Sequence, residues 1–166
     1  MAVAIRNGRV LTASGKMERG TVIIRDDRIV EVLPPGAAMP RVAIEWQADG
    51  LLVLPGIIDL HGDAFERQIM PRPGVHFPLE GALLETDRQM VANGITTAYH
   101  GVTWSWEPGL RGREAATAMV DAVETLKGRL ACDTRVHLRH ETFNLDAVET
   151  LLEWLDEGRV HLLAFN

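Results

Sequence analysis

The chain carries a single cysteine, Cys132. That excludes an internal disulfide framework and suits a reducing compartment. Basic residues are not in excess: 17 Lys and Arg stand against 23 Asp and Glu, for a net charge of −6. Nothing in that balance supports a nucleic-acid-binding surface or adhesion to an anionic membrane. A local arginine cluster can still bind a small anion, whatever the overall sign. No apolar run approaches the roughly 20 residues that a bilayer-spanning helix needs. The opening, MAVAIRNGRV, has no basic segment followed by a long apolar stretch and a small-residue cleavage site. These absences lead to the expectation of a soluble, cytoplasmic chain. With 46% hydrophobic and 24% charged residues over 166 positions, the composition is that of a globular protein.

Residues 1–54 are dense in short β signals. VAIRNGRVL places Asn7-Gly8 between β-prone flanks, the signal of a two-residue hairpin turn, and TVIIRDDRIVEVL repeats the scheme around Asp26-Asp27. PPGAAMP reads as a loop, and RVAIEWQADG and LLVLPG supply two more extended segments. A small antiparallel sheet or half-sandwich is expected.

After Pro55-Gly56 the pattern changes. IIDLH is a short apolar run of the kind found in strands buried on both faces. The long loop after it has prolines and glycines past Met70 that exclude a regular helix there. LEGALLETDRQMVANG, REAATAMVDAVETLKGR and LDAVETLLEWLDEG read as helices, the last with Asn144 as N-cap and Gly158 beyond its end. ITTAYH, TRVHLRHE and RVHLLAFN read as strands between and after them. Strand, loop and helix recur, which predicts βα units building a parallel sheet, an α/β fold. A closed (β/α)8 barrel needs eight strands and about 250 residues, and only four such strands are legible. The expectation is the first half of a barrel, in residues 55–166, with two open edges that pair with a second copy or with a missing C-terminal half.

Chemistry-bearing residues gather at the strand ends. Alternate residues of a strand share a face, so Asp59, His61 and Asp63 point together if the strand extends that far. Imidazole nitrogen and carboxylate oxygen suit zinc, manganese or iron, and Asp59 would orient His61 from behind. A buried histidine held by one aspartate is the alternative. In HLRHE, alternation puts His137, Arg139 and Glu141 on one face and His140 on the other. Glu141 is a candidate ligand and Arg139 a candidate anion contact, with a buried ion pair between them as the alternative. His100, ending ITTAYH, is a candidate for the same mouth, as a substrate contact or a structural residue. Arg72, held between Pro71 and Pro73, is a candidate anion contact, since guanidinium suits phosphate. Trp104 and Trp106 read as packing beneath a long loop or as a lid.

LPGIIDLHGD resembles the first-strand signature of the amidohydrolase superfamily, metal-dependent hydrolases on a (β/α)8 barrel with an appended β-sandwich. HGDAFERQIMPRPGVHFP, NGITTAYHG and VHLRHE are closer still to its phosphonate-metabolism diphosphatase branch. The resemblance runs from about residue 3 to 166, yet covers only the N-terminal half of such a protein. It implies that residues 1–54 begin a composite β-sandwich. It places His61 and Asp63 at the usual His-x-His metal position, with Asp63 in place of the second histidine. Glu141 falls where some members have a metal-binding glutamate. The implied cofactor is one or two divalent ions, Zn2+ first and Mn2+ or Fe2+ next. The implied reaction is metal-assisted release of pyrophosphate from a small, anionic, phosphorylated substrate, with amide or cyclic-amide hydrolysis as the alternative. The general base and later ligands are expected beyond residue 166, so the chain alone is expected to be inactive. Ala64 stands where the branch has Asn, His140 where it has Cys, and YHGVTWSWEPGLRG is unusually aromatic, which leaves the substrate itself open.

Overall fold

The computed structural model describes residues 1–166, which fall into two units, Met1–Pro55 and Gly56–Asn166. The first is a five-stranded sheet built from β1 (Ala2–Leu11), β2 (Met17–Arg25), β3 (Arg28–Leu33), β4 (Ile44–Gln47) and β5 (Leu52–Val53). The Asp26-Asp27 turn forms as expected: Arg25 pairs with Arg28, and Asp26 takes the left-handed conformation at φ 55°. The Asn7-Gly8 turn does not form. β1 runs straight through it, and the pair is absorbed as an irregularity between Ile5 and Gly8, with Asn7 at φ 60°. A bulge uses the same left-handed residue that a hairpin would. Asn7 Nδ2 donates to Gln47 Oε1, and a Cβ on Gly8 would sit 2.5 Å from Val53 Cγ2. Neighbouring strands thus decide the outcome. The sheet is also mixed, because β4 and β5 pair with β1 in parallel.

The second unit alternates strand and helix: β6 (Ile57–Gly62), α1 (Ala64–Ile69), α2 (Leu79–Ala92), β7 (Ile95–Trp104), α3 (Arg113–Leu126), β8 (Asp133–His140), α4 (Val148–Asp156) and β9 (Leu162–Phe165). Its four strands are all parallel, in the order β6-β7-β8-β9. The three longer expected helices are present; α1 is a short addition within the expected loop. Asn144 precedes a single 3-10 turn, not the α-helix, and makes no side-chain cap. The core lies between one face of β7 and β8 and the helices. There Val102, Trp104, Val136 and Leu138 pack with Met119, Val120 and Val123 of α3, and with Leu151 and Trp154 of α4. Each fully buried aliphatic side chain of this kind contributes about 2 kcal/mol.

β6 departs from expectation. Ile58 and Leu60 are 61% and 59% exposed, although the apolar run predicts burial on both faces. An apolar strand can be buried only by elements laid over it, and here β6 is an edge strand. No helix of the chain is long and apolar enough to cross a membrane.

Candidate metal centre at the strand ends

The strand pattern sorts side chains onto two faces. On β8, Thr134, Val136, Leu138 and His140 are buried, while Arg135, His137 and Arg139 are only partly covered. His140 therefore faces away from His137 and Arg139, as alternation predicts. Arg135 reaches across to β7, where its Nη1 donates to the Tyr99 hydroxyl at 2.8 Å. Tyr99 and Gly101 thus share the open face with Arg135 and His137, and Ala98, His100 and Val102 face the helices.

His61 turns its ring over Gly101, where a Cβ would lie 2.7 Å from His61 Cε1 and 3.0 Å from Nδ1. Gly101 is also the register partner of His137. With no side chain between them, the two imidazoles meet: their Nδ1 atoms are 3.1 Å apart, and the rings cross at 71° with centroids 4.9 Å apart. His137 Nδ1 also lies 3.0 Å from the Leu60 carbonyl oxygen. His137 Nε2 is buried without a hydrogen-bond partner. His137 is the residue that sequence reasoning left unassigned. Its place on the open face was legible from alternation, but its contact with His61 skips over a whole strand.

Other expected site residues stand apart from this pair. β6 ends at Gly62, so Asp63 is off the strand, at the N-cap of α1 with φ −120° and no side-chain hydrogen bond. The shared face of Asp59, His61 and Asp63 does not extend to its last member. Asp59 does not hold the His61 ring: its Oδ1 accepts from the His61 backbone N–H at 3.1 Å. The β6–β7 register slips between Asp59 and Gly62, and the carboxylate braces that irregularity. Glu141 follows β8; its N–H donates to the Trp104 carbonyl at 3.2 Å. Arg139 does not pair with it. The Asn166 side-chain amide lies within 3.3 Å of both the Glu141 carboxylate and the Arg139 guanidinium. No three His, Cys, Asp or Glu side chains gather into a cluster that could hold a metal, so His61, Asp63 and Glu141 do not converge.

His100 corrects a further expectation. It is 2% exposed and meets Phe65 of α1 edge-on, with centroids 5.2 Å apart, so it faces the helix layer and not the mouth. Burial holds its pKa down to about 4, against the raising influence of Asp59 and Asp87. It is therefore neutral at physiological pH. Cys132, also buried, has its thiol pushed up to about 11 by burial and nearby carboxylates, which excludes a thiolate nucleophile at neutral pH. Arg72 is exposed in a turn closed by Val75 N–H donating to the Arg72 carbonyl. Trp104 is packing, 4.9 Å from Trp154, whereas Trp106 is 66% exposed. A cleft of about 620 Å³ is lined by Trp106, Glu107, Arg113, Asn144 and Asp146 and does not include either histidine of the pair.

The donor chemistry fits a divalent ion in part. Imidazole nitrogens suit zinc, iron or manganese, but these two stand 3.1 Å apart, an ordinary hydrogen-bond distance. The carboxylates at the same strand ends are not drawn in around them.

No family model matches the chain. It is 29% identical over 140 residues to the alpha-D-ribose 1-methylphosphonate 5-triphosphate diphosphatase of Escherichia coli (strain K12), a match covering 82% of this chain and 36% of that protein. Among solved structures, it superposes on the N-acetylglucosamine-6-phosphate deacetylase of Pasteurella multocida with a TM-score of 0.60 and 16% identity, over 96% of this chain and 43% of the other. A beta-aspartyl dipeptidase from Fervidobacterium islandicum gives a TM-score of 0.54 at 18% identity, over 86% and 36%. The chain spans about a third of the length of the curated relative. The resemblance read from the sequence therefore holds, and this chain is similar to hydrolases of the amidohydrolase superfamily.

Proposed function

We propose that the chain forms the first βα units of a metal-dependent hydrolase barrel, one that releases pyrophosphate from a ribosyl triphosphate in phosphonate metabolism. One observation carries the reading: the 29% identity with the diphosphatase, sustained over 140 residues. When bound, a divalent ion lowers the pKa of a water to near neutrality and polarises the electrophile. His61, backed by the Gly101 seat, presents a nitrogen donor, and Asp63 and Glu141 bring carboxylates at the ends of β6 and β8. Arg72 and Arg139 supply fixed positive charge toward a phosphorylated substrate. His100, neutral and buried, takes no part. A cytoplasmic setting suits the single thiol.

The test is to incubate the chain with Zn2+ or Mn2+, alone and mixed with the C-terminal part of the Escherichia coli relative. Released pyrophosphate from ribosyl or nucleoside triphosphates is measured beside cleavage of dipeptides and N-acetylated amino sugars. Pyrophosphate release in the mixture is the expected result. Cleavage of amides alone moves the assignment to an amide hydrolase, and no turnover of either class rejects it.

A further inference from the structure

We propose that Asn166 is a positioning residue, an amide spacer that keeps Arg139 and Glu141 from pairing and leaves the guanidinium free for a phosphate oxyanion. The inference rests on the reading of Arg139 as an anion contact and adds the group that holds it ready. The same strand offers a comparison at the same spacing. Arg135 and Asp133, two positions apart on β8, close into an ion pair, with Nη2 2.6 Å from Oδ2. Arg139 and Glu141 are also two positions apart, yet Arg139 meets an uncharged group instead. One terminal atom of the Asn166 amide lies 3.1 Å from Arg139 Nη2 and 3.3 Å from Nε, and also 3.3 Å from Glu141 Oε1. As oxygen that atom accepts from the guanidinium edge, and as nitrogen it donates to the carboxylate. An amide thus answers either charge by a half-turn and cancels neither. The main chain fixes its place. Asn166 N–H donates to the His140 carbonyl at 3.0 Å, and the Asn166 carbonyl accepts from Thr142 N–H and Oγ1 at 3.1 and 3.0 Å. Glu141 is anchored too, its carbonyl accepting from Asn144 N–H at 2.9 Å. Without the amide, the two charges would close on each other as Arg135 and Asp133 do. That pair would compete with any anion for the guanidinium fork.

The experiment titrates inorganic pyrophosphate into the whole chain, in EDTA and at low ionic strength. It follows the heat of binding and the Arg139 Nε–H signal in 15N spectra. The variants are Arg139→Gln, Asn166→Ala, Glu141→Gln and the last two combined, with Arg129→Gln as control and circular dichroism to verify folding. Arg139→Gln is expected to weaken binding about tenfold, and the control not at all. Asn166→Ala is expected to weaken it about threefold and to move the Nε–H signal of the free chain, because the carboxylate captures the guanidinium. Added to Glu141→Gln, the same change is expected to cost nothing, a coupling that a merely structural role would not produce. Should Asn166→Ala bind as the parent does, or cost the same with and without the Glu141 carboxylate, Asn166 is no spacer while Arg139 stays an anion contact. Should the parent bind no pyrophosphate, or Arg139→Gln bind it as the parent does, the anion assignment of Arg139 falls and the spacer with it.

Discussion

The two faces of β7 and β8 are built from opposite kinds of residue. Toward the helices lie Ala98, His100, Val102 and Trp104, and Val136, Leu138 and His140, all buried. Toward the open side lie Tyr99, Gly101, Arg135, His137 and Arg139, which are polar or small. The helix face is held by packing, where losing atoms costs the most. The open face is held by directed contacts, such as Arg135 to the Tyr99 hydroxyl and His61 to His137. Stability and chemistry thus occupy alternate residues of the same strands. His100 shows that a polar residue type does not by itself mark the chemical face.

The largest expected effect breaks the packed face. Trp104→Ala is expected to cost about 3–5 kcal/mol, against about 1 kcal/mol for Tyr99→Ala on the open face. Urea denaturation of the two variants compares them directly, and equal costs would erase the distinction between faces. Next comes acid. His100 has a pKa near 4 in the folded state against 6.5 in the open chain, so the unfolded state takes up its proton first. Its contribution is complete above about pH 6.5 and is lost as pH falls toward 4. The drop corresponds to about 3 kcal/mol. The His100→Leu variant should lack this loss, so the difference in stability between parent and variant should change by that amount over the interval. A constant difference would mean that the imidazole is not desolvated.

The smallest effect concerns β6. Leu60 projects from an edge strand into solvent, so Leu60→Lys should change unfolding stability by no more than about 0.5 kcal/mol. An uncovered apolar edge strand invites pairing, and we expect the same variant to reduce self-association, read by light scattering. A stability loss of the size expected for a buried leucine would show that this strand is covered in solution.

Much of the layout was legible in the sequence because hydrophobic period depends on local geometry. The burial of Ala116, Met119, Val120, Val123 and Leu126 in α3 follows from spacing alone. So does the alternation on β8 that separates His137 and Arg139 from His140. The same rule, carried along ITTAYHGVTW, puts His100 in register with Ala98, Val102 and Trp104, which the position at a strand end obscured. Asp63 does not share the face of Asp59 and His61 because alternation holds only while a strand stays regular, and β6 slips its register and ends at Gly62.

Sequence by itself determined the βα order, the presence of the three longer helices, the apolar faces of α3 and β8 and the resemblance carried by LPGIIDLHGD. Tertiary structure decided what depends on neighbours distant in the chain. Asn7-Gly8 became a bulge because Val53 and Gln47 lie beside it. Asp87 of α2 became a clamp on the start of β8, accepting from the backbone N–H groups of Ala131 and Cys132. His61 found His137 across a glycine. Periodicity constrains where a side chain points along its own element, but the partner it meets is set by which strands lie side by side, and that is decided only when the sheet forms.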